Sequence, residues 1–262
     1  MLQTIKKMPF IIDMRKILFE KKFSAHQNVN YFRGVFENFT EARLSSPKTK
    51  PIGYDNEPSS RLYRERISRL HTTDYPVLFW MKHFLPQTRA VFDFGGHIGI
   101  HYYSYSKVLD FSSIERWTVC DVESVTRAGE MYASRQKGNK LKFVNDIKKC
   151  TDYDLFLASG SLQYLEWELH EKLQELPALP KFLLINMLPL HPIKKTITLQ
   201  SIGTSFCPYY LRIESDFLDG LVKLGYEIVD IWKNEEKQCN IAFEKERSLN
   251  YYRGMALRLK TH

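Results

Sequence analysis

The sequence predicts an α/β protein with a seven-stranded, mostly parallel sheet and a helical N-terminal extension. From residue 90 to residue 259, β-prone apolar runs alternate with helical segments. That alternation is typical of a parallel sheet with crossover helices. A glycine-rich turn over residues 95–99 follows the first strand and leads into a helix, and such a turn lets the backbone approach a ligand closely. At 262 residues the chain is long enough for one such domain and an extension.

The predicted strands share an apolar, β-prone composition. The fifth is almost wholly apolar, as expected of a central parallel strand, and the last is expected to return antiparallel. The strands cover residues 90–94, 117–121, 141–146, 153–159, 181–187, 226–232 and 252–259, and helices are expected over 125–135, 166–175 and 217–224.

The segments ahead of the sheet are predicted to form a basic helical cap over residues 1–85, with the sheet domain over residues 86–262. Residues 31–42 form an aromatic-rich entry into a short helix, and residues 45–60 are a loop with three prolines and a glycine. The following segment, as far as residue 85, is predicted to be helical in two pieces broken near Pro76.

Positive charge is concentrated in this N-terminal part. Residues 1–90 carry 16 Lys and Arg against 8 Asp and Glu, so the whole net charge of +8 lies there. Such a flank attracts phosphate, nucleic acid or an anionic membrane surface, or it is a solvated face without a partner. Within the helix predicted over residues 9–23, apolar positions 10, 11, 14, 17 and 18 form a stripe. We expect this stripe to pack against the body of the protein, with membrane-surface binding as the alternative.

Composition excludes several classes of protein. The hydrophobic content of 44% and charged content of 26% are those of a soluble globular chain. No apolar run has the length of about 18 residues that a membrane span needs, and the N-terminus has no secretory-signal pattern. The four cysteines are far apart and form no C-x-x-C pair, so we expect neither a metal site nor disulfides. Reduced thiols favour a cytoplasmic protein.

The glycine turn carries the first sign of a ligand. The dinucleotide fingerprint G-x-G-x-x-G fails, because His97 stands two residues after Gly95. An acid two residues before the first glycine, Asp93, together with Gly96 and a later Gly99, fits an S-adenosylmethionine (SAM) turn better.

Three further strand ends bring polar groups to the same edge of the sheet, where open parallel sheets bind ligands. Asp121 lies 22 residues beyond Gly99, at the spacing of an acid that accepts hydrogen bonds from ribose hydroxyls. Asp146 is a candidate acceptor for an adenine amine. The predicted cofactor residues are completed by Val122 and by a small-residue opening of Ser159, Gly160 and Ser161.

These motifs make the chain resemble a class I SAM-dependent methyltransferase, with residues 93–99 as its first motif and Asp121 as its ribose acid. More narrowly, it resembles a family of predicted methyltransferases encoded among bacterial O-antigen and other surface-polysaccharide genes. The resemblance implies a Rossmann-like fold, SAM as cofactor, and transfer of a methyl group, O-directed, to a sugar or sugar-phosphate acceptor. His97 departs from the general motif, where glycine often stands. The stretches that carry the narrower resemblance are residues 34–42, 93–103, 163–165, 198–203 and 252–254.

A hydroxyl acceptor usually benefits from a general base. The candidates are His97, His101, His191 and Tyr102, with Gln200 as an orienting group. We expect His97, in the turn, and His191, after the fifth strand, to face the acceptor.

Two rival functions stay open. An RNA methyltransferase would use the arginines of residues 61–69 on nucleic acid. However, residues 159–162 read Ser-Gly-Ser-Leu where methyltransferases of base amino groups carry an Asn/Asp-Pro-Pro-aromatic run, which argues against that chemistry. The second rival is a non-catalytic binding protein with a degenerate SAM pocket, for which His97 is the main support.

Overall fold

The computed structural model describes residues 9–25, 30–60, 64–136 and 140–260. The helices are α1 (Pro9–Ser24), α2 (Phe39–Leu44), α3 (Glu57–Ser60), α4 (Tyr75–Phe84), α5 (Ile100–Tyr105), α6 (Glu123–Ala133), α7 (Leu169–Gln174) and α8 (Glu214–Lys223). The strands are β1 (Tyr31–Phe36), β2 (Ala90–Phe94), β3 (Arg116–Cys120), β4 (Leu141–Val144), β5 (Leu155–Ser159), β6 (Phe182–Leu188), β7 (Leu190–His191), β8 (Thr196–Ser201), β9 (Phe206–Ile213), β10 (Tyr226–Asn234) and β11 (Tyr252–Leu259).

The predicted sheet is present, with seven strands in the order β10-β11-β6-β5-β2-β3-β4. Neighbours from β6 to β4 pair in parallel, whereas β11 runs antiparallel to both β6 and β10. The fold-class prediction, a Rossmann-like, seven-stranded and mostly parallel sheet, is confirmed. The strand order reverses between β2 and β5, which is the place where open α/β sheets bind their ligands.

The strands are apolar because helices cover both faces of this sheet. On one face, Phe92 and Phe156 are fully buried in a cluster that includes side chains of α7 and α8. On the other face, Val91 and Leu155 are fully buried against a cluster that includes α4 and the Tyr105 ring of α5. Full burial of an aliphatic or aromatic side chain stabilises the fold by about 1.5–3 kcal/mol, so these layers fix the strand ends that carry the candidate site.

A second sheet was not predicted. It has four strands in the order β1-β8-β9-β7. Residues 31–36 were expected to lead into a helix, but they form β1, antiparallel to β8, and only α2 is helical. All six residues of β8 are buried, so tertiary pairing decides the conformation of β1. β1 belongs to the first 85 residues and β8 to the last 70 or so, so this sheet includes strands from both sides of the predicted domain boundary. The division into a cap over residues 1–85 and a sheet domain over residues 86–262 stays a prediction.

The break between residues 61 and 85 lies earlier than predicted. Pro76 stands in the first turn of α4, where its missing N–H costs no hydrogen bond. The interruption falls around residues 69–71, between the 3-10 turns Arg64–Ser68 and Thr72–Asp74. Residues 61–63, which include one arginine of the basic cluster, lie outside the described part of the chain.

The helix predicted over residues 9–23 is α1, but the prediction of its buried face was wrong at positions 14, 17 and 18. The side chains of residues 10 and 11, the other predicted positions, lie outside the described part of the structure. Phe23 is fully buried and Phe19 packs beside it, whereas Met14, Ile17 and Leu18 are about half exposed, at 49%, 58% and 54%. Phe19 and Phe23 face inward instead because they pack against aromatic rings of the second sheet. Within the described residues, no helix combines the length and the apolar character that crossing a bilayer requires.

Candidate active site

A cavity of about 500 Å³ lies where β2, β3, β4 and β5 end, and residues of both sheets line it. The predicted site residues that line it are Gly95, Gly96, His97, His101, Asp121, Val122, Asp146, Ser159, Gly160, Ser161 and Gln200. The structure thus brings most of the predicted site together at the strand-order reversal. Asp93, Gly99 and His191 lie outside the lining of this cavity.

The turn requires glycines because a Cβ would clash with neighbouring side chains and because two of its glycines have a positive φ. Gly95 has a φ of +73°, and a Cβ there would lie 2.2 Å from the Ser161 Cβ. A Cβ on Gly96 would lie 2.4 Å from a carboxylate oxygen of Asp93. Gly99, with a φ of +92°, is the N-cap residue that precedes α5. The turn is therefore a closely packed backbone cradle along one side of the cavity.

His97 fits into this turn without disrupting it. Its φ of +57° is left-handed, which explains why glycine often stands here. Its ring is 5% exposed and lies edge-on to the ring of Tyr54, with the centroids 6.3 Å apart. The backbone N–H of His97 donates to Asp121 Oδ2 at 2.9 Å. His97 therefore shapes the turn through its backbone, and its ring joins the cavity wall.

Asp121 is held in place by the backbone. Oδ1 accepts from the Val122 N–H at 2.8 Å and Oδ2 accepts from the His97 N–H. Burial raises the pKa of Asp121 to about 6, against the two backbone hydrogen bonds, which favour the charged form. Each carboxylate oxygen has a further lone pair, so an ionised Asp121 can accept hydroxyl donors from a ligand.

Asp93 supports the turn from beneath. It is fully buried, with Oδ1 2.9 Å from His101 Nδ1, and its Oδ2 accepts from Trp117 Nε1 at 3.2 Å. Burial lowers the pKa of His101, but the adjacent Asp93 carboxylate outweighs burial and raises it overall. This places Asp93 in the wall below the cradle, contrary to the expectation that it contacts the ligand. His101, by contrast, lines the cavity, and its raised pKa favours the charged form of its ring.

Two other predicted candidates, His191 and Tyr102, lie outside the cavity lining. His191 is 7% exposed, and both of its ring nitrogens bond to backbone: Nε2 to the Glu246 carbonyl, and Nδ1 as acceptor from the N–H of Ile193 and Lys194. His191 thus holds a turn, which corrects the expectation that it faces the acceptor. Tyr102 packs on aromatic rings of the core and is absent from the cavity lining.

Ser161, which follows β5, and Asp146, which follows β4, frame the opening. Ser161 Oγ donates to the Phe94 carbonyl at 2.8 Å, which ties the opening to the glycine turn. Asp146 caps a 3-10 turn by accepting from the Lys148 N–H at 2.9 Å, and its side chain is exposed at the cavity. A ligand along this edge would therefore meet carboxylates at two successive strand ends.

On the opposite wall, Gln200 was predicted as an orienting group, whereas the sequence did not single out Gln163, Tyr164, Tyr209 and Tyr252 as site residues. The Tyr164 hydroxyl donates to Gln200 Oε1 at 2.9 Å, and Tyr209 donates to the Tyr252 hydroxyl at 2.8 Å. Gln163 is 4% exposed, and its Oε1 has no hydrogen-bond partner among the described residues. An unpartnered buried amide oxygen is costly, so it marks a position where a ligand donor fits.

Two cations complete the lining. Arg66, from the 3-10 turn Arg64–Ser68, has Nη2 3.5 Å from Asp74 Oδ1, and its Nε is buried with no hydrogen-bond partner in the described parts of the chain. Desolvation and the nearby charge of Arg66 lower the pKa of Lys237. The sequence placed Arg66 only in a basic cluster; its spacing gave no sign of a cavity.

Neither a protein-family model nor a curated protein matches the chain. Several solved structures resemble it at low identity. A SAM-dependent methyltransferase from Mesorhizobium loti is 14% identical, over 71% of this chain and 98% of that one, with a TM-score of 0.46. The 1,6-didemethyltoxoflavin-N1-methyltransferase of Burkholderia thailandensis, with bound S-adenosylhomocysteine, is 14% identical over 72% and 79%, with a TM-score of 0.48. Magnesium protoporphyrin IX methyltransferase from Synechocystis, with the same ligand, is 13% identical over 72% and 82%, with a TM-score of 0.47.

Proposed function

We propose that this chain is a SAM-dependent methyltransferase. The observation that carries the proposal is a carboxylate, Asp121, fixed by two backbone N–H groups beside a glycine cradle at the strand-order reversal. A cavity of about 500 Å³ is within the usual range for a small-molecule ligand. The unpartnered Nε of Arg66 at one side of the cavity and the Asp121 carboxylate at the other fit SAM, which has a carboxylate at one end and a nucleoside at the other.

The residues divide along the cavity according to the chemistry that each end of SAM requires. Asp121 would accept from the ribose hydroxyls, and Asp146 lies at the next strand end for the adenine amine. Arg66, and His101 when it is protonated, supply positive charge for the carboxylate of the methionine part. The cradle at Gly95 lets the ligand lie against the backbone.

When bound, SAM supplies a methyl group activated by an adjacent sulfonium. The task left to the chain is to align the acceptor with that group and to exclude water. Gln163, Gln200 and Tyr164 supply amide and hydroxyl groups that can orient an acceptor on the wall opposite the cradle. Because His101 bonds Asp93 through Nδ1, its Nε2 is the ring nitrogen left for exchange of a proton within the cavity.

For the acceptor, we propose O-directed transfer to a sugar or sugar-phosphate group in surface-polysaccharide synthesis. The support is the resemblance of the sequence to methyltransferases of those gene clusters, together with a wall of tyrosines and glutamines. Tyr164, Tyr209 and Tyr252 offer flat apolar faces and hydroxyls, and the two glutamines offer amides. Lys237 adds a cation for an acceptor that carries phosphate.

The first experiment is calorimetric titration of the full chain with S-adenosylhomocysteine. We expect saturable binding that Asp121→Asn weakens, while the matched control Asp110→Asn, an exposed carboxylate outside the cavity, binds like wild type. If the wild-type protein does not bind, the methyltransferase proposal fails.

The acceptor proposal needs a separate experiment. The protein and methyl-labelled SAM are incubated with nucleotide sugars, polysaccharide fragments and total RNA in parallel. Label in a carbohydrate fraction that resists mild base, as an ether does, supports the proposal. Label confined to RNA would replace it with the RNA alternative while leaving SAM binding intact.

A further inference from the structure

Helix α1 has two apolar faces, and the described part of the chain buries only one of them. Phe23 stacks on the Phe206 ring with centroids 5.2 Å apart, and Phe19 lies edge-on to Tyr31 at 6.0 Å. With about 100° of rotation per residue, Met14, Ile17 and Leu18 fall on the side of the helix opposite Phe23. We call these three residues the outer stripe. It is a continuous apolar surface that the described part of the chain leaves in solvent.

Positive charge borders the outer stripe. Lys21 lies on the same side, one turn beyond Ile17, and Arg15 and Lys22 lie along one flank. Among the described residues these three cations form no ion pair, whereas Glu20 is engaged by Arg33 at 2.9 Å. The outer stripe is therefore bordered by three cations that have no acidic partner among the described residues and can bind an anion.

An apolar stripe bordered by lysine and arginine matches an anionic bilayer surface. Apolar side chains enter the boundary between headgroups and acyl chains, and long basic side chains extend to the phosphates. A protein partner would need an apolar groove with carboxylates placed at its rim. An anionic membrane offers an apolar interior beneath a layer of negative charge over its whole surface, so no specific geometry is needed.

We propose that α1 docks the protein on anionic phospholipid membranes, with the outer stripe in the interface and Arg15, Lys21 and Lys22 on the headgroups. The docking is peripheral and reversible, as expected of one short helix. The proposal goes beyond the proposed enzymatic function and does not depend on it. A methyltransferase with another acceptor, or a protein that only binds SAM, would dock in the same way.

The test is co-sedimentation of the full chain with sucrose-loaded vesicles of phosphatidylcholine alone or mixed with phosphatidylglycerol. We expect binding to the anionic vesicles that high salt weakens, and little binding to the neutral ones. The double variant Ile17→Ser, Leu18→Ser should lower the apparent partition coefficient on the order of tenfold or more. Lys21→Gln with Lys22→Gln should lower it by about thirtyfold.

The controls are matched in exposure. Val108→Ser removes an apolar side chain that is 57% exposed, as Ile17 is at 58%, and Lys82→Gln removes an exposed lysine on α4. Neither control should change vesicle binding. Thermal unfolding of each variant verifies that the fold is intact, because serines at exposed positions leave the core packing unchanged.

Three results would overturn the proposal. The first is a wild-type protein that binds neither kind of vesicle. The second is equal binding by wild type and the double serine variant. The third is self-association in sedimentation velocity that is lost in the double serine variant without any vesicle binding, which would assign the outer stripe to a second copy of the chain.

Discussion

The two walls of the cavity are built in different ways. The cofactor wall consists of consecutive strand ends and the turns that follow them, so backbone groups hold its key side chain, Asp121. The acceptor wall consists of side chains from a 3-10 turn, from two strands of the second sheet and from the antiparallel β11, and hydroxyls and amides hold one another there. One wall depends on local backbone geometry, and the other depends on contacts between distant segments.

This difference has a consequence for mutation. A change in the cofactor wall alters the backbone or a buried charge, and it should affect binding of SAM or the stability of the whole domain. A change in the acceptor wall alters one hydrogen bond, and it should affect the acceptor alone.

The largest effect is expected for His101→Leu. The change leaves the fully buried Asp93 carboxylate without its cation, which costs about 3–5 kcal/mol in the free energy of unfolding. Because the pKa of His101 is raised in the folded state, the stabilisation by this pair is complete below the ordinary value of 6.5 and is lost as pH rises through the raised value. Urea unfolding across this pH range measures it. A pH-independent difference between wild type and variant would contradict the assignment.

The next effect is expected for Gly95→Ala. A methyl group there meets the Ser161 Cβ at 2.2 Å, and the residue keeps a left-handed φ of +73°, so we expect about 2–4 kcal/mol of lost binding or stability. Titration with S-adenosylhomocysteine measures the loss of binding, and thermal unfolding measures the loss of stability. Gly53→Ala is the matched control, because Gly53 has a φ of +88° with nothing within 4 Å of a Cβ. Equal losses in both variants would attribute the effect to strain alone and remove the argument for a packed cradle.

The sequence predicted the cofactor wall better than the acceptor wall. The main sheet, Asp121 and the glycine turn were predicted, because parallel strands and their turns leave local patterns of composition and spacing. The second sheet was missed because β1 and β8 meet across a long stretch of chain, and this sheet brings Gln200 of β8 and Tyr209 of β9 to the cavity. His191 was misassigned because following a strand does not show which way a side chain points.

The third prediction concerns pH and the cofactor wall. Asp121→Asn should weaken binding of S-adenosylhomocysteine by about 1.5–3 kcal/mol, since a charged acceptor becomes a neutral amide. The pKa of Asp121 is raised to about 6, so in the wild type the carboxylate becomes protonated, and affinity falls, as pH decreases through about 6. The asparagine variant should lose this pH dependence, as measured by calorimetry at a series of pH values. A variant that keeps the wild-type profile would show that another group controls the titration.

The smallest effect is expected in the acceptor wall, for Gln163→Leu. The Oε1 of Gln163 is buried with no partner among the described residues, so its removal should leave the free energy of unfolding unchanged or slightly raised. Affinity for S-adenosylhomocysteine should also stay unchanged, whereas KM for the acceptor found in the labelling screen should rise by about fivefold to tenfold. Gln87→Leu, at an exposed glutamine far from the cavity lining, is the control. Steady-state kinetics with acceptor and SAM varied separately make the comparison. A rise in KM for SAM instead would mean that the two walls do not divide the substrates, because Gln163 would then belong to the cofactor wall.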